Sequence, residues 1–344
     1  MKRTRRKRAV VLLTAAMLAI GLVGCSPQPN MDGAVARSDG SAGLTPVTVV
    51  LDYTPNTNHS GIYVAIDQGY YADEGLDVTV VQPPEDGADA LVASGRAEFG
   101  ISYQDWMANY LGSADPLPVT AVAAIIQHNT SGLISRAGEG ITDPLGLEGE
   151  RYGTLDVATE KAIVRTLVED AGGEWEKVEL VPANSTDEVS GLRAEQFDAV
   201  WCFEGWAGQN AKLQGFETDY FAVGALDERF DYYTPVIIAN DRFLEEHPDT
   251  ARAFLAATAR GYERAMERPD EAAAILVAAA PEVDPDLAVA SQRFLADKYR
   301  ADAEQWGVFD AERWNAFYGW MNEQGLTERP LPMDAGFTNE YLPR

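Results

Sequence analysis

From Val47 onward the apolar positions fall into two alternating patterns: short runs rich in β-branched residues, and stretches with apolar residues three and four apart. Residues 47–51, 78–81, 99–102 and 119–126 read as buried strands, and the helical spacing of Ile62, Ala65 and Ile66 and of the segments 88–94 and 106–111 places helices between them. A second block repeats the alternation. A strand at 151–154 leads into a helix from Thr159 that stops at Gly172 and Gly173. A strand at 177–181 follows, then a capping box of Ser185 and Glu188 opening the next helix, a strand at 197–203, and a helix at 206–213. A strand returns at 234–239, and from there to about Glu323 the pattern is helical, broken near Pro269, Pro281 and Gly307.

This order predicts an α/β fold of mainly parallel sheets covered on both faces, in two doubly wound lobes. Two crossings, near 127–131 and 232–235, join them. Lobe 1 is expected from 46–130 and 235–344 and lobe 2 from 131–234, with a cleft between lobes where strand-end loops meet.

The amino terminus changes the picture. Six basic residues, Lys2, Arg3, Arg5, Arg6, Lys7 and Arg8, precede an apolar run from Ala9 to Val23, short for a spanning helix and suited to a signal peptide. Leu22-Val23-Gly24-Cys25 resembles the bacterial lipobox, which implies export, lipidation of Cys25 and an extracytoplasmic protein anchored to the cell membrane. Arg5 and Arg6 leave a twin-arginine route open beside the general one. Residues 1–25 are then signal peptide and lipobox, and 26–45, rich in Ser, Gly, Pro, Asn, Asp and Ala, a flexible tether.

The formal net charge is −27, more negative still without the leader, and makes nucleic acid an unlikely partner. With Cys25 lipidated, Cys202 has no partner for an intrachain disulfide, and its apolar surroundings predict a packed thiol. His59, His128 and His247 lack zinc-ligand spacing, so no metal is expected.

Candidate chemistry begins in the turn Leu51-Asp52-Tyr53-Thr54-Pro55-Asn56-Thr57-Asn58-His59, polar and hydrogen-bonding at the end of a strand. It reads either as a ligand-binding loop or as a turn capped by Asn58 or Ser60. Three further segments stand with it: Gly69-Tyr70-Tyr71-Ala72-Asp73-Glu74-Gly75-Leu76-Asp77-Val78, Gly95-Arg96-Ala97-Glu98-Phe99-Gly100, and Thr338-Asn339-Glu340-Tyr341-Leu342. Together they resemble the type II periplasmic binding proteins of the thiamin-pyrimidine group, from about Val47 to Leu342. Members of that group include lipoproteins delivering formylaminopyrimidine to an ABC importer, and wider relatives bind riboflavin, sulfonates, taurine or nitrate. The resemblance implies a monomeric binding protein with a permease and an ATPase as partners.

The same family contains a fungal pyridoxal-phosphate-dependent pyrimidine synthase. Where that enzyme's lysine and histidine stand, this chain has Ser102 and Trp106, and its cysteine cluster falls over 230–234, which holds no cysteine. Without an amine for a Schiff base or an imidazole to donate, the synthase chemistry has no reagents, so no cofactor and no catalytic residue is expected.

A flat heteroaromatic ligand needs faces to stack on and in-plane hydrogen bonds. Tyr53, Tyr103 and Trp106 on the first lobe, Trp201 or Trp206 on the second, and Tyr232 or Tyr233 at the return crossing are the candidate aromatic contacts. Asp52, Asn56, His59 and Glu204 are the candidate partners for ring nitrogens and an exocyclic amine, and Thr159, at a helix start, for a carbonyl or anionic oxygen. The reading requires Asp52, Trp106 and Glu204 to converge on one hollow.

Overall fold

The computed structural model describes residues 43–85, 87–185 and 187–343. The expected signal peptide, Cys25 and the expected tether as far as residue 42 lie outside the described residues. The strands are β1 (Thr45–Val50), β2 (Leu76–Val81), β3 (Phe99–Ser102), β4 (Val119–Ala124), β5 (Ser131–Arg136), β6 (Arg151–Thr154), β7 (Glu179–Pro182), β8 (Ala199–Phe203), β9 (Thr218–Ala222) and β10 (Val236–Asn240). One sheet has the order β2-β1-β3-β10-β4 and the other β7-β6-β8-β5-β9, the same arrangement twice.

In each sheet a single strand runs against both neighbours, β10 in the first and β5 in the second. Both are the first strands reached after a crossing, so no helical crossover within the same sheet forces them parallel. The β-branched pattern does not announce β5. Gly132 interrupts it because a methyl group there would lie 2.2 Å from the Phe221 carbonyl oxygen of β9.

Apolar packing makes each sheet a rigid platform. Behind the first, Phe99 stacks on Phe254 with ring centroids 3.9 Å apart, and Tyr262 stacks on Trp306 at 4.3 Å. Behind the second lie Ile134, Leu192, Phe197 and Cys202. Full burial of a Val, Leu or Phe side chain is worth roughly 1.5–3 kcal/mol, so these layers anchor the strand ends firmly. Burial, with Glu188 and Glu204 nearby, holds the Cys202 thiol well above its ordinary pKa, which leaves it protonated and inert. Among the described residues no helix is long and apolar enough to cross a membrane.

The crossings are tied to one another and to the C-terminal segment. Asp231 on the second accepts from the Asn129 backbone N–H at 2.8 Å and faces His128 Nδ1 on the first at 2.6 Å. His128 Nε2 lies 2.8 Å from Asp302, and Arg313 Nη1 donates to the Gln127 carbonyl at 2.6 Å. Hydrogen bonding to Asp231 raises the His128 pKa against partial burial, Asp302 adds to it, and the Arg313 charge opposes it. A histidine whose folded pKa is raised contributes stability that is complete below its unfolded value of about 6.5 and disappears as pH rises through the folded value. Denaturation at a series of pH values is therefore expected to show stability falling on the alkaline side of that window, with His128→Gln flattening the fall. A gap between variant and wild type that stays constant with pH would contradict the titration.

Candidate functional site

A cleft of about 530 Å³ is lined by the loops that follow β1, β3, β6, β7 and β8. These are the carboxyl ends of parallel strands, where backbone leaves the ladder and loops are free to meet a ligand. Tyr53, Leu155 and Phe203 line it and are 67%, 70% and 37% exposed, bare apolar surface that a flat ring can pack against. Trp201 and Trp206 both line the second-lobe side.

The turn after β1 is held by a reciprocal cap. Asn56 caps a short 3-10 turn, Thr57–His59, its Oδ1 accepting from the Asn58 N–H at 2.9 Å, while His59 Nδ1 accepts from the Asn56 N–H at 3.1 Å. The cap is thus Asn56 rather than Asn58 or Ser60. Because Nδ1 is an acceptor, the ring proton sits on Nε2, which donates to Asp52 Oδ1 at 2.7 Å. Tyr103 donates to the other oxygen of Asp52.

Asp52 reaches the cleft with its side chain only 5% exposed. Burial pushes its pKa up, but His59 and the Tyr103 hydroxyl outweigh this and hold it below the usual carboxylate range. Burial and the adjacent Asp52 raise the Tyr103 pKa well above its ordinary value, so it stays a neutral donor. The product is a fixed acceptor pointed at the cleft, suited to an N–H donor on a ring.

The charge lining the cleft is one-signed. Among the described residues around it Asp52, Asp187 and Glu188 are acidic, and none is basic. Asp187 is the N-cap of the helix Glu188–Arg193, accepting from the Ser190 N–H at 2.9 Å and the Ser190 hydroxyl at 2.7 Å. This corrects the expected capping box of Ser185 with Glu188, and Glu188 instead lines the cleft. Sequence reading missed Glu188 as a site residue because its spacing from Ser185 fits a cap; the competing signal was Asp187 three residues before Ser190.

Of the expected contacts, Asp52, Tyr53, Asn56, Tyr103 and Trp201 line this cleft together. The others do not. His59 is fully buried and works behind Asp52. Trp106 turns its half-exposed ring edge-on to Tyr103, with centroids 5.8 Å apart, and lines a separate groove with Asp89 and Tyr110. Glu204 sits between lining residues, but its carboxylate lies 3.8 Å from Lys212 on the following helix, because the wide turn Glu204–Gly208 carries it aside. Asp52, Trp106 and Glu204 therefore do not share one hollow.

Tyr233 is fully buried at the crossing, its hydroxyl donating to Gln127 Oε1 at 3.2 Å and accepting from the Asp310 N–H at 2.7 Å. Tyr232 stacks on Phe317 at 4.2 Å. Thr159 is buried and does not line the cleft, and beside it Glu160 turns back on the loop before its own helix, accepting from the Leu155 N–H at 3.2 Å and the Thr154 hydroxyl at 3.1 Å. Ser102 donates to Asp89 at 2.6 Å. No group of three His, Cys, Asp or Glu among the described residues is placed to hold a metal ion.

The family model described as NMT1/THI5 like matches residues 56–272. A formylaminopyrimidine-binding protein of Halalkalibacterium halodurans is 30% identical over 307 residues, 86% of this chain and 90% of that protein. A 4-amino-5-hydroxymethyl-2-methylpyrimidine phosphate synthase of Saccharomyces cerevisiae, THI13, is 25% identical, covering 86% of this chain and 87% of that one. Among solved structures, the periplasmic aliphatic sulphonate binding protein SsuA of Escherichia coli superposes with a TM-score of 0.68 at 11% identity, covering 85% of this chain and 97% of that one. The fold is that of the periplasmic binding proteins, two α/β lobes, as the sequence led us to expect.

Proposed function

We propose that this chain, which belongs to the NMT1/THI5-like family, is an extracytoplasmic solute-binding protein that captures a thiamin-related aminopyrimidine and presents it to an ABC permease with its ATPase. One observation carries the ligand class: among the described residues the cleft combines aromatic and apolar faces with three acidic residues and no basic one. Sulfonate, nitrate and phosphate groups call for cations, which the described lining lacks, and the loop amide of Leu155 beside the cleft is already taken by the Glu160 carboxylate. An aminopyrimidine asks for the opposite: aromatic stacking and acceptors for its N–H groups.

The same reasoning sets the chain apart from the synthases of its family. Pyridoxal phosphate brings an anionic phosphate and needs a lysine, whereas no described residue lining this cleft is basic and Ser102 is engaged with Asp89. We read the chain as a binding protein, not an enzyme, and the basic leader, apolar run and Cys25 as support for export and lipid anchoring.

The test is thermal unfolding of the purified full chain in detergent with a ligand panel. At about a hundredfold excess over Kd, a ligand specific for the native state adds about 2.7 kcal/mol, which is a rise of several degrees in Tm. The rise is expected with 4-amino-5-hydroxymethyl-2-methylpyrimidine and its aminomethyl and formylaminomethyl analogues, and not with alkanesulfonates or nitrate. Stabilisation by a sulfonate alone would remove the pyrimidine assignment; a protein that purifies yellow would point to a flavin.

A further inference from the structure

We propose, resting on the reading of the cleft as an aminopyrimidine site, that the preferred ligand is a cation, an amino-heteroaromatic bearing a protonated amine arm, with Glu188 as its counter-ion. The three acidic residues of the cleft are in different states. Asp52 already receives His59 Nε2–H and the Tyr103 hydroxyl, and Asp187 spends its oxygens on Ser190. Glu188 lines the cleft half-buried, and no side chain among the described residues is hydrogen-bonded or ion-paired to it. Burial, with Asp187 alongside, pushes its pKa above the ordinary value, against the lowering effect of a hydrogen bond from its own backbone N–H, so the carboxylate has no charged partner to offset its burial.

A neutral ligand closing over this group would remove its remaining water and return at most a neutral N–H or O–H hydrogen bond, which offsets less of an ionised carboxylate's desolvation than a charge does. An ammonium would pair with it. The aromatic surroundings favour the same charge: Tyr53, Trp201 and Trp206 line the cleft, and their faces attract cations. Asp52, on the opposite lobe, remains an acceptor for the ring edge, so the two carboxylates divide the ligand between them. A cation bridging the lobes also favours their closure, because it gains from both only when they come together.

Isothermal titration of the full chain at neutral pH tests this with two probes, 4-amino-5-hydroxymethyl-2-methylpyrimidine and the same ring with an aminomethyl arm. The aminomethyl compound is expected to bind about tenfold or more tightly. Glu188→Gln is expected to weaken it by about tenfold while changing the hydroxymethyl compound by less than about threefold. Lowering the pH through the Glu188 titration is expected to weaken only the aminomethyl compound, since protonation removes its counter-ion.

Equal affinity for the two probes in the wild-type chain, or an equal loss for both in Glu188→Gln, overturns the inference. Binding of the hydroxymethyl compound alone overturns it while leaving the aminopyrimidine reading intact, and binding of neither removes both. Should Glu188→Gln fail to fold, the wild-type ratio of the two affinities decides.

Discussion

Asp52→Ala is expected to abolish measurable ligand binding and to destabilise the first lobe at the same time. The carboxylate is buried and receives His59 Nε2–H at 2.7 Å and the Tyr103 hydroxyl. Removing it strands two buried donors, each worth about 1–3 kcal/mol when left unpaired, so the loss of stability is about 2–6 kcal/mol. Binding loses its fixed acceptor as well, and a hundredfold weaker affinity corresponds to about 2.8 kcal/mol.

Asp52→Asn separates the two effects. It keeps the shape and one acceptor oxygen while turning an amide N–H₂ toward the other donor, so stability is expected to fall less than for alanine while affinity still drops. Urea denaturation and titration calorimetry on both variants check this. The depressed pKa of Asp52 adds a sign: its contribution to stability is present above about pH 3.9 and is lost only as pH falls through the lower folded value. An alanine variant within about 0.5 kcal/mol of wild type, the range of ordinary surface changes, would show that His59 and Tyr103 are satisfied without the carboxylate.

Gly261→Ala is expected to be the most damaging change away from the cleft. The helix Ser60–Asp67 crosses Pro248–Glu267 so closely that a methyl on Gly261 would lie 2.0 Å from the Gly61 carbonyl oxygen. A methyl on Gly61 would lie 2.3 Å from the Tyr262 ring, which cannot swing away: it stacks on Trp306, and its hydroxyl donates to the Asn58 carbonyl at 2.6 Å.

Helix propensity alone would make each Gly→Ala change favourable by up to about 1 kcal/mol, so a net loss measures the clash. Overpacking of this kind costs about 1–3 kcal/mol where neighbours relax and more where backbone meets backbone. We expect about 3 kcal/mol or more for Gly261→Ala, read as a fall in Tm of roughly 10 °C. Affinity should fall too, because the displaced helix carries the Asn56–His59 turn on its amino end. A stable Gly261→Ala chain with unchanged affinity would show that the crossing is looser than these contacts require.

How far the site could be read from the chain alone differs residue by residue. The turn from Asp52 to His59 was visible because its polar side chains are contiguous and follow a strand. Trp106, Glu204 and Tyr233 were placed near the cleft by their position at element ends, and that position does not set direction: one helical turn sends Trp106 into its own groove, one wide turn sends Glu204 toward Lys212, and the crossing folds Tyr233 inward. Glu188 was hidden because a spacing that suits a capping box also suits a free carboxylate.

The chain's hydrophobic periodicity by itself determined the α/β alternation, the two blocks and the crossings between them, because burial is enforced locally at every strand and helix. It could not decide the reversed directions of β5 and β10, which depend on how each strand enters a sheet already formed by others. Nor could it decide the state of the carboxylates. Asp52 is an ionised, oriented acceptor because His59 and, 51 residues along the chain, Tyr103 are folded against it, and among the described residues Glu188 has no side-chain partner while Asp187 takes the cap. Charge state and direction are set by neighbours in space, and those neighbours exist only once the tertiary structure has formed.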